Sequence, residues 1–349
     1  MARVLKTGEH VLLQSFRRML AARRVGTRGV VVGVGDDTAV LRPRAGQDLL
    51  FTTDVQVEGR HFERDWLSGF DLGWRLAAVN LSDIAAMGGV PLYALVALAL
   101  PENLDLKYVK SIERGVRDHL AAWRATVVGG NVSGIDDTIV CDLTLIGSCA
   151  RGKAWKRNCR PNLDAVVVVG NLGDAAAGYD VLARGRKRNG RGKIIRAFRK
   201  PRPLLDVARL LTGEKAVHGA IDVSDGFSSD LIHICEGGDA GVEVDSRQLP
   251  LSKALHNFCK ASGGVPLRYA MDGGEDYALI LSVDAKRAEV IANKIEDSTG
   301  VTARVVGRFT ARKGAYYLLG ERGRRTRIVP GGWDHLARGA PEHGTPKRG

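Results

Sequence analysis

Five short acidic stretches, each set among Gly, Ser or Thr, constrain this chain more than any other feature. They are Gly35-Asp36-Asp37, Thr52-Thr53-Asp54, Asn80-Leu81-Ser82-Asp83, Asp222-Val223-Ser224-Asp225-Gly226 and Gly273-Gly274-Glu275-Asp276. They read as strand ends and turns. The formal net charge is +13, so solubility gives no reason for acids there. Carboxylates that converge repel: two like charges about 4 Å apart cost roughly 4 kcal/mol at an effective dielectric near 20. Divalent cations relieve that repulsion. Hard oxygen ligands suit Mg²⁺, which is typically shared between one or two carboxylates and substrate phosphates. The stretches therefore point to a site for several Mg²⁺ ions and a nucleotide.

The chain's 349 residues suffice for two domains, each with its own core. Apolar residues make up 44% and charged residues 26%, the balance of a soluble globular protein. The longest apolar stretch, residues 90–101, is shorter than the roughly 20 residues a membrane-spanning helix needs. The start, Met1-Ala2-Arg3-Val4, carries no signal-peptide pattern. Cys141, Cys149, Cys159, Cys235 and Cys259 form no C-x-x-C pair and are odd in number. Reduced thiols and a cytoplasmic location are expected, with neither a disulfide frame nor a zinc site. Residues 184–202 hold ten Lys or Arg and no acid. This segment reads as a solvated loop around a short central piece, or as an attractor of polyanions such as ATP. No aromatic interleaving or groove-reading motif supports nucleic-acid contact.

Apolar spacing predicts an amphipathic helix over residues 9–24 and further helices over 73–87, 106–124, 204–211, 228–235 and 285–297. Strands are expected at 30–34, 49–53, 93–100, 126–128, 138–147, 165–169, 220–223, 242–244, 279–283 and 303–306. The mixture is α+β. The character changes near residue 150, which places a first domain at 1–150, a second at 151–338 and a disordered tail at 339–349.

Taken singly, each motif has an ordinary reading. Gly35-Asp36-Asp37 and Thr52-Thr53-Asp54 fit plain turns after strands. Together they put carboxylates and hydroxyls at strand ends, as oxygen ligands. Asp83 lies in a small-residue helix and is either salt-bridged or partnered by a cation. Gly129-Gly130-Asn131 fits a hairpin turn or a close approach to phosphate. Asp222-Val223-Ser224-Asp225-Gly226 follows a strand and precedes a helix, whose free N–H groups attract anions. Glu275, after two glycines, is placed to accept hydrogen bonds from a ligand. His61 is structural or ligand-facing, and Trp333 is a surface anchor or a stacking platform. No GxxxxGK[ST] sequence occurs, which excludes the P-loop architecture; HRD and DFG are absent too.

In order, these motifs resemble the thiamine-monophosphate kinase family, within the superfamily of aminoimidazole ribotide synthetase. The residues are Gly-Asp-Asp at 35–37, Thr-Thr-Asp-x-x-x-Glu-Gly-x-His-Phe at 52–62 and Ala-Val-Asn-Leu-Ser-Asp-Ile-Ala-Ala-Met-Gly at 78–88. Leu-Gly-Asp-x-Ala-Ala-Gly at 172–178, Ile-Asp-Val-Ser-Asp-Gly at 221–226, Gly-Gly-Glu-Asp-Tyr at 273–277 and Gly-Trp-Asp-His at 332–335 complete them. The resemblance implies ATP-dependent phosphorylation of thiamine monophosphate to thiamine diphosphate by direct in-line transfer, with no discrete catalytic base. It implies that Asp37, Thr52, Thr53, Asp54, Asp83, Asp222 and Asp225 hold the Mg²⁺ ions, with Asn131 a weaker candidate. Gly130, Asn131, Arg157 and Ser224 would contact ATP; His61, Glu275 and Trp333 would line the thiamine site. It further implies a two-domain PurM-like fold and a homodimer whose N-terminal domains join into a β-barrel.

Two positions depart from the family pattern. Asn131 stands where Asp is usual, which removes a charge but keeps a carbonyl oxygen. Asp272 replaces the usual Ser. Two further readings stay open: another ATP-dependent enzyme of the superfamily with a different substrate, or a non-catalytic basic paralogue. A selenophosphate synthetase needs a reactive Cys near its start, but the first here is Cys141. A hydrogenase-maturation dehydratase needs a C-terminal Cys, but the last is Cys259.

Overall fold

The computed structural model describes residues 29–32, 38–185 and 190–331. The expected helix at 9–24, Gly35-Asp36-Asp37, Trp333 and the tail at 339–349 lie outside the described residues. The described chain forms two compact units, divided between Ala154 and Trp155, with the short Ala85–Gly88 turn grouped with the second.

In the first unit, β1 (Val30–Val32) and β2 (Val40–Leu41) form a small antiparallel ribbon. Six larger elements follow: β3 (Gln47–Val57), α1 (Gly69–Ala86), β4 (Val90–Pro101), α2 (Leu106–Ala122), β5 (Thr126–Ile135) and β6 (Val140–Ala150). The sheet order is β3-β6-β4-β5, with β4 and β5 parallel and the other pairs antiparallel. Asp105 starts α2 by accepting a bond from the Lys107 N–H at 2.9 Å, one of the donors a helix leaves orphaned. Val109, Ile112, Val116 and Leu120, at helical spacing, are buried. Helix α1 meets α2 through glycines: a Cβ at Gly73 would lie 1.9 Å from the Ile112 carbonyl oxygen, and one at Gly115 would lie 2.2 Å from that of Phe70. Only hydrogen fits at these points.

The alternation of β3 sorts its side chains by face. Leu50 and Gln56 are buried. On the opposite face Leu49, Phe51 and Val55 are 42%, 66% and 40% exposed, and Leu95 of β4 is 40% exposed. Among the described residues the sheet is open, with β3 and β5 as edges, and no closed barrel is present in one chain.

The second unit comprises β7 (Asp164–Val169), α3 (Asp174–Ala183), α4 (Gly192–Arg199), α5 (Leu205–Leu210), β8 (Val217–Asp222), α6 (Phe227–Gly237), β9 (Gly241–Asp245), α7 (Lys253–Ser262), α8 (Pro266–Asp272), β10 (Leu279–Asp284), α9 (Ala288–Thr299), β11 (Ala303–Thr310), β12 (Tyr316–Leu319) and β13 (Arg325–Arg327). Its sheet runs β13-β12-β9-β11-β7-β10-β8 and is antiparallel except between β12 and β9. Every residue of β7 is buried, which explains its unbroken Ala-Val-Val-Val-Val run. Val166, Val168, Phe227, Ile234, Val242, Ile280 and Phe309 belong to one core cluster.

Three sequence expectations change here. Thr52-Thr53-Asp54 does not end a strand or form a turn after one: β3 pairs with β6 on to Val57, so the three residues are strand interior. The strand expected at 126–128 runs on to Ile135, so Gly129-Gly130-Asn131 is strand interior and no hairpin turn. Gly130 is required there because a Cβ would lie 2.1 Å from the Val96 carbonyl oxygen of β4. The basic segment 184–202 contains a real helix, α4, because Ile194, Ile195 and Phe198 give it a buried face.

Candidate active site

In the first unit the oxygen ligands gather around β3. Thr52 and Asp54 alternate with Thr53 along that strand, so they point to the other face of the sheet. Thr52 Oγ1 donates to Asp83 Oδ2, which joins β3 to α1. Asn80 precedes Asp83 by three residues, one helical step on the same face. Its Nδ2 donates to the Leu76 carbonyl at 3.0 Å, while its Oδ1 is buried with no partner. An unmet buried acceptor costs about 1–3 kcal/mol. With Asp83 and the Thr52 hydroxyl beside it, the donor set is all oxygen, which fits a hard cation such as Mg²⁺.

Thr53 faces the exposed side. Its Oγ1 lies 3.2 Å from Asp142 Oδ2 and 3.1 Å from Thr144 Oγ1. Pairing places Ala97 opposite both Asp142 and Asn131, so these two share one row across the sheet with only a methyl group between them. Sequence reasoning misses Asp142, since it lies inside a strand with no glycine or turn to mark it. The period-2 register with Thr53 and Thr144 is the signal that could have found it.

His61 sits in the turn after β3. Its Nδ1 accepts from the Val57 N–H at 3.0 Å, so a neutral ring carries its hydrogen on Nε2. That turn is held by Glu58, which accepts from Arg64 Nε and Nη2 at 2.9 and 2.7 Å and from the Ile139 N–H at 3.1 Å.

In the second unit Asp222 ends β8 and is buried, opposite Leu279, which also pairs with Val169 of β7. The chain then turns through Ser224, Asp225 and Gly226 into α6. The three N–H groups of Ser224, Asp225 and Gly226 all donate to Asp230 Oδ2, at 3.0, 3.1 and 3.1 Å. The turn that leads into α6 is thus clasped by a side chain of that helix, and these three N–H groups are not free for a ligand. The charge of Asp230 is confined. Burial, then the neighbouring charges of Asp225 and Asp222, push its carboxyl up to about 7.

Glu275 stands opposite this turn in a left-handed conformation, φ 59°, and its N–H donates to the Ser224 carbonyl at 2.7 Å. Gly274 is needed beside it, because a Cβ would lie 2.8 Å from the Ser224 oxygen and its φ is 68°. Asp276 accepts from the Gly173 and Ala175 N–H groups at 2.6 and 3.1 Å, tying the Gly-Gly-Glu-Asp-Tyr segment to the start of α3. Asp272 is equally engaged: Ser228 Oγ donates to its Oδ1 at 3.0 Å and accepts from the Gly331 N–H at 3.2 Å. Arg157 is exposed, and its backbone runs so close to Gly237 that a Cβ there would lie 1.7 Å from the Arg157 carbonyl oxygen.

The sequence candidates thus fall into two groups. The first unit carries Thr52, Thr53, Asp54, His61, Asp83, Gly130 and Asn131. The second carries Arg157, Asp222, Ser224, Asp225 and Glu275. Asp37 and Trp333 lie outside the described residues. Among the described residues no set of three or more His, Cys, Asp or Glu is arranged to hold a metal unaided. Hydroxyl and amide oxygens, water and substrate phosphate would have to complete any Mg²⁺ shell.

The two units, each built on a mixed sheet, match the two domains of the AIR synthase-related class of protein. Its N-terminal domain matches residues 35–149 and its C-terminal domain residues 164–318. Thiamine-monophosphate kinase of Rhodopirellula baltica is 31% identical over 331 residues, covering 92% of this chain and 96% of that relative. The crystal structure of thiamine-monophosphate kinase from Stenotrophomonas maltophilia K279a superposes with a TM-score of 0.79 at 28% identity, covering 90% of this chain and 97% of that one. A structure described as AaThiL complexed with AMPPCP and TMP gives a TM-score of 0.74 at 30% identity, covering 96% and 99%. This chain belongs to the thiamine-monophosphate kinase family.

Proposed function

We propose that this protein transfers the γ-phosphoryl group of ATP to thiamine monophosphate, forming thiamine diphosphate and ADP. The observation that carries the reading is the all-oxygen set at Thr52, Asp83 and the orphaned Asn80 Oδ1, in a chain of this family. A phosphate acceptor is already an anion, so no base is needed to activate it. The protein's task is to position two polyanions and offset their charge. Thr52, Thr53, Asp54 and Asp83, with Asp142 and Asn131 on the outer face, would hold Mg²⁺ from the first unit. Asp222 and Asp225 would do so from the second, and Asp37 would join them. Bound Mg²⁺ would neutralise phosphate charge and hold the γ-phosphoryl group for in-line attack. Gly130 and Arg157 would meet ATP, together with the Ser224 side chain, since the Ser224 N–H is engaged. The Nε2–H of His61, the Glu275 carboxylate and Trp333 would face thiamine monophosphate.

The exposed apolar row Leu49, Phe51, Val55 and Leu95 supports a homodimer in which two four-stranded sheets close into a barrel. Thiol chemistry has no support: all five cysteines are buried, and burial pushes the Cys141 and Cys159 thiols up to about 12. Among the described residues no helix is long and apolar enough to cross a membrane, and a cytoplasmic enzyme is the accompanying proposal. The test is incubation with ATP, millimolar Mg²⁺ and thiamine monophosphate. Thiamine diphosphate and ADP should appear in equal amounts; ADP without thiamine diphosphate would refute the acceptor.

A further inference from the structure

The second unit contains a cavity of about 530 Å³ that the proposed kinase site does not use. It opens near the starts of α3 and β11, and none of its lining residues is among those proposed for the kinase site, although Asp276 ties the start of α3 to the segment that carries Glu275. Separate segments wall it: Asn171 and Asp174 at α3, Lys193 of α4, residues 247–254 leading into α7, and Thr302 and Arg304 at β11.

Its charges sort into two kinds. Arg247 is committed to Asp245, donating from Nε and Nη2 at 2.9 and 2.6 Å, and Arg304 is bonded to Glu296. Lys193 and Lys253 are exposed and form no salt bridge among the described residues, although the Lys193 charge acts on Asp174 across the wall. Asp174 is the one carboxylate in the wall, and Ser252 Oγ donates to its Oδ1 at 2.6 Å. Ser252 also caps α7 by accepting from the Leu255 N–H at 3.0 Å. That leaves the Lys253 and Ala254 N–H groups, in the first turn of a ten-residue helix, without a helical partner. Lys253 and Ala254 both line this cavity, together with Lys193.

We propose that this cavity binds a small molecule carrying a diphosphate group, at a site separate from that for ATP and thiamine monophosphate. Its volume suits a metabolite of nucleotide size. Two lysine point charges and a helix N-terminus suit adjacent phosphates without a metal. The kinase site proposed above is built from carboxylates and needs a cation before it can hold phosphate, so the two respond oppositely to chelation.

The test is calorimetric titration of the full chain with inorganic pyrophosphate in EDTA, in moderate salt and with no divalent cation. One pyrophosphate per chain is expected. The double substitution Lys193→Gln, Lys253→Gln should weaken it at least tenfold while thiamine monophosphate phosphorylation stays at the wild-type rate. Ala254→Glu is a second probe: an acid in the first turn favours the helix yet repels the ligand, so binding should vanish from a folded protein. Absence of heat at millimolar pyrophosphate, equal affinity in the variants, or binding that appears only with Mg²⁺ would each overturn the proposal. Titration in EDTA requires no turnover, so its outcome is independent of whether the kinase assay succeeds.

Discussion

At the residue scale, Asp230 and Glu113 are two buried carboxylates with opposite circumstances. Asp230 is surrounded by three backbone donors. Asp230→Ala would orphan them and should cost about 3 kcal/mol of stability, measured by urea unfolding. Glu113 on α2 has both carboxylate oxygens buried without a hydrogen bond, and its nearest cation, Arg117 Nη1, is 3.7 Å away. Burial dominates, partly offset by Arg117, and its carboxyl rises to about 7. A raised carboxyl in the folded state means that the unfolded chain releases the proton first as pH rises. The contribution of Glu113 is therefore fully present below about pH 4.5, and is lost as pH climbs to about 7. Glu113→Gln should flatten that part of the stability-pH curve and raise the melting temperature at pH 8; an unchanged curve would mean that the carboxylate is solvated. Asp83, Asp222 and Glu275 are legible in the sequence because glycine, serine or small residues flank them. Asp230 and Asp142 are not, because nothing local distinguishes an acid in a helix turn or a strand row.

At the element scale, α1 carries Asn80 and Asp83 and is set against α2 by glycine contacts. A methyl group at Gly73 would overlap the Ile112 carbonyl. Gly73→Ala should cost roughly 2 kcal/mol, about 4–8 °C in melting temperature. It should also reduce turnover, because α1 is displaced from Thr52; thermal melts and Mg²⁺-dependent rates on one preparation would check both. Strands with β-branched or alternating runs, such as β3, β7 and β10, are readable from the residues alone. Helices α3, α7 and α8 are not, since α3 is built of alanines with little amphipathic contrast and α8 is only seven residues long. The extension of β5 through Gly129-Gly130 is hidden for a different reason: two glycines read as a turn locally, while the closeness of β4 that demands them is non-local.

At the scale of the whole molecule, the exposed apolar face of the first sheet has an expected occupant, a second copy of the chain. The wild type is expected to sediment as a dimer and Phe51→Glu as a folded monomer in sedimentation velocity; two identical profiles would remove the barrel. Charge distribution at this scale is partly legible: the basic segment is plain in the sequence, but its helix and the cavity beside it are not. The Asp230 clasp has one last consequence. Nucleotide enzymes that cradle phosphate in main-chain amides retain some grip on their ligand after chelation. Here the three amides at the head of α6 are spoken for, so a chelator should release the non-hydrolysable analogue AMPPCP outright. In the Lys193→Gln, Lys253→Gln variant, which lacks the lysines of the second cavity, equilibrium dialysis should find no retained nucleotide in EDTA and full recovery when Mg²⁺ returns.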